Sequence, residues 1–375
     1  MFAPPAAPVE RPSVLPYSLG GLLIERGVQE FAILSDLKTK GWDDGRMDKH
    51  FVEQRQTADT AGPNSPMNFV WFRKMKDIFG EIDKKSGCIP NLQRLNFLDL
   101  GCCPGGFSSY VLNQHKNSRG FGISLPLSQG GHKFLLEEGL QSRYTVMFTD
   151  LTYFTLGPTD SSLSTLESSL TLNHLPKNNQ NPPPLQALPP QIRNGNFSLV
   201  ILDGHLLRTQ EGVRSWEYDR LLIAQLIIGL QGLKLGGTLV VKLSRPDAVR
   251  TAKLLYMLDS LSEAGGLVTC KPRSMHASRG TFYAVARNVG HGRIPVANML
   301  LGLRKLWQDL TFGGTEGCGR FLEEADLDFI VTTEDLVGSS TRDGYLGRLV
   351  ELARDVWVGQ AEALRILLKK KGLNV

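Results

Sequence analysis

Cysteine is scarce in this sequence, and its placement excludes two classes of protein. There are five, an odd number: Cys102 and Cys103 are adjacent, while Cys88, Cys270 and Cys318 stand alone. None forms a C-x-x-C pair, so neither a disulfide framework nor structural zinc is expected, and no metal is assigned. A reducing compartment is the natural setting. Long apolar runs are also lacking. Residues 221–235 are too few to span a bilayer and are interrupted by Gln225 and Gln231. The N-terminus, Met1-Phe-Ala-Pro-Pro, lacks the basic and apolar regions of a secretory leader, and it is poor in Arg for a transit peptide. The expectation is a soluble intracellular protein, nuclear or cytoplasmic, with no membrane contact. Charge of one sign is not in great excess. Lys and Arg total 42 against 37 Asp and Glu, a net of +5, which suits a polyanionic partner without requiring one. No RNA-recognition module is legible, and aromatics are not interleaved with a dense basic patch.

What is present is a 41% hydrophobic content over 375 residues, enough for one large domain with additions or for two. Residues 1–16 are Pro-rich and read as an unstructured tail. Leu23, Phe31, Leu34 and Leu37 predict an amphipathic helix over 22–37. Residues 43–66 are polar and turn-rich. Trp71, Met75, Ile78 and Ile82 share a face of a second helix, predicted over 69–83. Short apolar runs then alternate with helical patterns. Strands are predicted at 97–100, 120–125, 144–148, 197–202, 238–243 and 281–286, and helices at 107–113, 218–233 and 251–264. Gly236-Gly237 marks the stop of the 218–233 helix. This alternation implies an α/β parallel sheet with helices on both faces. A Ser-, Asn- and Pro-rich stretch, 155–194, interrupts it and reads as a surface insertion. It follows a strand's carboxyl end, the side where ligands bind in open α/β sheets, and so is also placed to cover a site. Past Asn288 the alternation stops. Helices are predicted over 296–310 and 345–371, the second ending in Lys369-Lys370-Lys371, which suits a helix C-terminus. The organisation is thus a tail and helical extension (1–66), an α/β domain (67–288) and a C-terminal helical segment (289–375).

The chemistry centres on the segment Phe97 to Phe107. A strand ending in Asp99-Leu-Gly101, then Pro104-Gly-Gly106 and a helix, makes a tight turn at the sheet's carboxyl edge. Its glycines allow close approach of a ligand, and the helix start offers free N–H groups. There is no Gly-Lys-Ser/Thr, so this is not a P-loop, and the glycines are not spaced as G-x-G-x-x-G. A nucleoside ligand fits such a turn.

These residues carry a resemblance. Asp99-Leu-Gly-Cys-Cys-Pro-Gly-Gly-Phe-Ser-Ser-Tyr-Val-Leu112 resembles the first motif of the FtsJ-like methyltransferases. Its Pro-Gly-Gly-Phe-Ser-x-Tyr-Val portion is most similar in wording to the eukaryotic mRNA cap 2′-O-methyltransferase branch. Gly120-Phe-Gly-Ile-Ser-Leu125, Leu202-Asp-Gly204, Gly236-Gly-Thr-Leu-Val-Val-Lys242 and the stretch from Lys271-Pro-Arg-Ser274 to Arg279-Gly-Thr-Phe-Tyr-Ala-Val-Ala286 follow in family order, over about 69–288. The resemblance implies a Rossmann-like sheet, S-adenosyl-L-methionine as cofactor, and methylation of an RNA ribose 2′-hydroxyl through a Lys-Asp-Lys-Glu tetrad. Asp203 matches the tetrad Asp and Lys242 the second Lys. The first Lys is assigned to Lys74, with Lys76 in reserve, because residues two apart on a helix do not face one point. The tetrad Glu falls at Thr281, and no acid lies between Lys271 and Asn288. A hydroxyl accepts a hydrogen bond but supplies no negative charge. For the cofactor, the resemblance implies Asp99, Gly101, Pro104, Gly105, Gly106 and Phe107 around the methionine part and ribose. It adds Ser124 for the ribose hydroxyls, Asp150 for the adenine amino group, and Asp203.

The chemistry has its own logic. A sugar hydroxyl is a poor nucleophile near neutral pH. A Lys held among other cations has a pKa below its usual value of about 10.4 and can accept or steer the proton. In-line positioning of the reacting groups supplies much of the rest. Three functions follow: ribose 2′-O-methylation of RNA, methylation of a small-molecule hydroxyl, and cofactor binding with degenerate chemistry. Retention of Asp203 and Lys242 favours the first two, and Thr281 favours the third.

Overall fold

The computed structural model describes residues 18–59, 65–158, 185–207, 210, 213–315, 317, 319–339 and 342–375. The Pro-rich tail and most of the 155–194 insertion lie outside the described residues. The N-terminal extension is three helices, α1 (Leu19–Glu25), α2 (Gln29–Trp42) and α3 (Gly45–Asp59). The single helix expected over 22–37 is therefore two. Gly27 adopts φ 75, a left-handed turn that breaks the helical path. The polar stretch expected as turns is mostly α3, started by Asp44, whose carboxylate accepts the Arg46 N–H at 2.9 Å. A longer helix, α4 (Met67–Ser86), closes on Gly87 at φ 59, whose N–H donates to the Asp83 carbonyl.

The alternating region then builds one sheet. Strand β1 (Leu95–Leu100) leads through α5 (Gly106–Gln114) to β2 (Ser118–Ser124) and β3 (Tyr144–Phe148). Strand β4 (Phe197–Leu202) leads through α6 (Glu217–Gly232) to β5 (Leu233–Ser244), and α7 (Val249–Leu261) precedes β6 (Leu267–Cys270) and β7 (Thr281–Val289). Among the described residues the seven strands lie in the order β3-β2-β1-β4-β5-β7-β6. The first five are parallel, while β7 runs antiparallel to both neighbours. The glycines expected to stop the 218–233 helix instead lie inside β5. The helix ends at Gly232, and Gly236 takes φ 75 beside a register shift. Four-residue β6 has too short an apolar run to stand out from the loop around it.

Side chains alternate across the strands with a period of two. Phe97, Leu199, Ile201, Val240 and Val285 form one face, with Phe79 of α4 and Phe107 of α5 in the same cluster. Leu98, Leu100, Val200, Leu202 and Val241 form the other, with Leu226 of α6 and Leu255 of α7. Helices thus cover both faces of a Rossmann-like sheet. The chain leaves β1 towards β2 and β3 on one side and returns through β4 and β5 on the other. A crevice opens at the carboxyl ends where the order reverses.

Beyond the sheet come α8 (Val296–Phe312) and α9 (Leu346–Lys370). The two extensions meet, for α9 packs along α2, with the Phe31 and Trp357 rings 5.2 Å apart. Arg354 of α9 also pairs with Glu30 at 3.0 Å. Among the described residues no helix is long and apolar enough to cross a membrane.

Candidate active site

The period of two that sets the core also assembles the polar site. Asp203 follows β4 two residues after Ile201, Lys242 lies two after Val240, and Tyr283 is the registered partner of Lys242 across β5 and β7. All three share the face under α4 and α5. Lys242 Nζ lies 3.2 Å from Asp203 Oδ1, and the Tyr283 hydroxyl donates to the same oxygen at 2.7 Å. Asp203 is only 4% exposed, so these two partners take the place of water around its carboxylate. Burial and the Asp203 charge push the Tyr283 phenol well above its ordinary pKa, which keeps it a donor. Lys242 Nζ also lies 3.4 Å from His205 Nδ1. The turn carrying Asp203 is pinned from α6. Gly204 N–H donates to Gln225 Oε1 at 2.8 Å, and Gln225 Nε2 donates to the Gly204 carbonyl at 3.0 Å.

The other two assigned catalytic positions are placed differently. Lys74 is exposed on α4, and no hydrogen bond or ion pair joins it to Asp203 or Lys242. The inner side of α4 is taken by Phe72 and Met75, which lie against Gly106, and Lys74 faces away from them. Lys76 is paired with Glu137 at 3.0 Å. Thr281 lies on the same sheet face as Tyr283, opposite Ser244. Its carbonyl accepts the Lys271 ammonium at 2.7 Å. That ammonium also donates to the carbonyls of His276, at 2.9 Å, and Arg279, so Lys271 gathers the 272–280 loop around itself. Burial, with Lys38 nearby, brings Lys271 down to about 7. As expected from the sequence, no acid stands at Thr281, and His276 of the loop lies near Lys242 and Asp203. Burial and then the Lys242 charge depress His276 to about 4, so it stands neutral beside Lys242.

On the other side of Asp203 is a cleft with about 540 Å³ of unfilled space counted out to solvent. Gly101, Ser124 and Asp150, from the ends of β1, β2 and β3, line it together with Gly204, His205 and Gln210. Asp150 Oδ1 accepts the Thr152 N–H at 2.8 Å and hydroxyl at 2.7 Å, and Gln210 Nε2 lies 3.5 Å from its Oδ2. Three other assigned positions serve packing. A Cβ on Gly106 would stand 2.7 Å from Met75 Cβ, so glycine there admits α4. Phe107 is core, with its ring 5.0 Å from Phe79 and 5.9 Å from Tyr283. Pro104 is buried, and its carbonyl accepts the Leu135 N–H at 2.9 Å. Gly105 takes φ 109 at the start of α5, close under the Phe134 ring. Gly101, at φ 84, touches another backbone segment, since a Cβ there would lie 2.6 Å from Gly204 N.

Asp99 lies beneath the turn, 1% exposed, and accepts the Ser108 hydroxyl on Oδ2 at 2.6 Å. Its Oδ1 is buried with no hydrogen-bond partner. Burial lifts the carboxyl to about 7 against the pull of Ser108, and the Asp203 charge adds to the rise. Sequence reasoning missed Tyr283, Gln225 and His276 as site residues. The signal for Tyr283 was present, because it follows Thr281 by two and so shares its face. Gln225 and His276 reach the site from a helix and a loop, where no strand period points to them.

Residues 79–289, more than half of the chain, match the family model described as FtsJ-like methyltransferase. No curated protein matches the chain. Among solved structures, a protein described as a ribosomal RNA methyltransferase from Plasmodium falciparum is 18% identical, covering 57% of this chain and 94% of its own, with a TM-score of 0.34. A protein described as a spermidine synthase from Corynebacterium glutamicum is 13% identical, covering 72% and 82%, with a TM-score of 0.32. The mitomycin 7-O-methyltransferase is 14% identical, covering 67% and 60%, with a TM-score of 0.32. The family match carries the assignment: with its motifs in order and its sheet in place, this chain belongs to the FtsJ-like methyltransferase family.

Proposed function

We propose that the protein methylates ribose 2′-hydroxyls of RNA using S-adenosylmethionine, as the mRNA cap branch of the family does. The observation that carries this reading is the Asp203–Lys242 pair, 3.2 Å apart at the carboxyl ends of adjacent strands and bordering the cleft. The residues fit the cofactor. The cleft offers Asp150 for an adenine amino group and Ser124 for a ribose hydroxyl. The buried, partnerless Asp99 Oδ1 sits just below, where a cationic group would offset its desolvation. When bound, the cofactor supplies an electrophilic methyl on a sulfonium. Lys242 then steers the acceptor hydroxyl and its proton, while Asp203, held by Tyr283 and by Gln225 through Gly204, fixes the direction of the ammonium.

Labelled-methyl transfer to total RNA, compared with a metabolite extract, tests the reading. Transfer to RNA is expected, falling at least about 100-fold in Lys242→Met. Transfer confined to the metabolite extract would assign a small-molecule acceptor instead. A second reading, cofactor binding without transfer, draws on Thr281 in place of an acid and on the outward Lys74. Calorimetric binding of S-adenosylmethionine with no transfer to either extract would establish it.

A further inference from the structure

The carboxyl edge of the sheet has a second hollow beyond the Asp203–Lys242 pair. Along that edge the cleft spans the ends of β3, β2, β1 and β4, the pair sits at β4 and β5, and a larger cavity opens past β5. It holds about 1310 Å³ of unfilled space counted out to solvent. One wall is Arg245 and Asp247, just after β5, with the 278–280 segment before β7; Arg245 N–H donates to the Gly280 carbonyl at 3.0 Å. The opposite wall comes from α2, α3 and α9. These helices lie outside residues 79–289, so the cavity belongs to what this chain adds to its family domain.

Its lining has a definite chemistry. Phe31, Trp42 and Phe51 present aromatic surface. Asp247 is 8% exposed, and its Oδ1 is buried without a hydrogen-bond partner, so the site contains an acceptor that needs a donor. Arg245 lies 3.5 Å from the other oxygen of that carboxylate. Lys38 is half-buried and makes no hydrogen bond or ion pair among the described residues, though it lies within electrostatic reach of Asp247 and Arg245. Arg279 lies over the Phe51 ring, 5.9 Å from its centroid. A ligand matching all of this has a flat apolar face, an N–H donor and an anionic group. A nucleotide has all three.

We propose that this cavity binds a nucleotide unit of the acceptor strand. The base stacks in the aromatic recess and donates to Asp247 Oδ1, and the phosphate lies among Lys38, Arg245 and Arg279. The inference rests on the RNA reading given above and makes the terminal extensions the acceptor-holding part of the enzyme.

The test is titration of the full chain with guanosine 5′-monophosphate, guanosine and inorganic phosphate, followed by calorimetry and tryptophan fluorescence. The monophosphate is expected to bind about tenfold or more tightly than either guanosine or phosphate. Lys38→Met and Trp42→Ala should each weaken it about tenfold, with thermal unfolding unchanged in at least the Lys38 variant. Monophosphate binding no tighter than phosphate, or indifferent to both substitutions, overturns the proposal. Methyl transfer on the same proteins separates the two claims. Lys38-dependent nucleotide binding without transfer to RNA leaves this site standing and removes the RNA reading. RNA transfer with an unchanged KM in both variants keeps the RNA reading and removes this site.

Discussion

Asp99 and Asp203 are two buried carboxylates on one sheet face, and they are balanced in opposite ways. Asp203 has Lys242 and Tyr283, whereas Asp99 has one hydroxyl and a pKa raised to about 7. A raised folded-state value means that the native protein holds the Asp99 proton more tightly than the unfolded chain does. Its contribution therefore turns unfavourable as pH climbs from about 4, the unfolded value, through about 7. Asp99→Asn removes that cost. The variant is expected to gain on the wild type between pH 4 and pH 8, by on the order of 3 kcal/mol, in urea unfolding at a series of pH values. A difference that stays flat with pH would mean that Asp99 is charged throughout. Motif order and strand period point to Asp99, Asp203 and Lys242, and the structure places the three on one face of the sheet. Gly106 and Phe107, read from the sequence as cofactor positions, lie against α4 and in the core, and spacing alone does not distinguish room for a ligand from room for a helix.

Elements were legible where their pattern was long or fully apolar. The limits of β3 and β4 are those expected, and α6 and α9 differ by about a residue at each end. The misreadings have local causes: Gly27 splitting a helix, Asp44 starting one in a polar stretch, and β6 offering only four residues. Helix α6 shows how a feature read for one purpose serves another. Gln225 and Gln231 marked the run as unfit to span a membrane. In the fold, Gln225 holds both backbone groups of Gly204, and Gln231 accepts from Arg304 at 2.6 Å. Gln225→Leu should leave a buried N–H and a carbonyl without partners, costing about 1–3 kcal/mol. It should also loosen Asp203, so kcat falls more than KM rises. A variant as active as the wild type would show that Asp203 is positioned without α6.

At the scale of the whole molecule, the terminal extensions are coupled to the sheet. Helix α9 packs on β6 as well as on α2, so one helix ties the N-terminal helices to the family domain. Trp357, fully buried against Phe31, sits in that joint. Trp357→Ala is expected to destabilise the protein by about 3–5 kcal/mol, in a single transition seen alike by circular dichroism and fluorescence. Two separated transitions would mean that the extensions fold as their own unit. This joint was not legible beforehand, because helix periodicity shows which face is apolar and not which partner it meets.

The contact between Gly101 and Gly204 has a consequence for inheritance. The two positions are far apart in the chain, yet the backbone at one occupies the space that a side chain at the other would need. Gly204 has no slack to give, since a Cβ there would itself press on Gln225 Oε1 at 2.8 Å. Neither codon is free to drift alone. A library randomised at 101, 204 and 225 and selected for folding should recover glycine at 101 in nearly every clone. Departures at 204 should arrive together with a smaller residue at 225, three sites inherited as one.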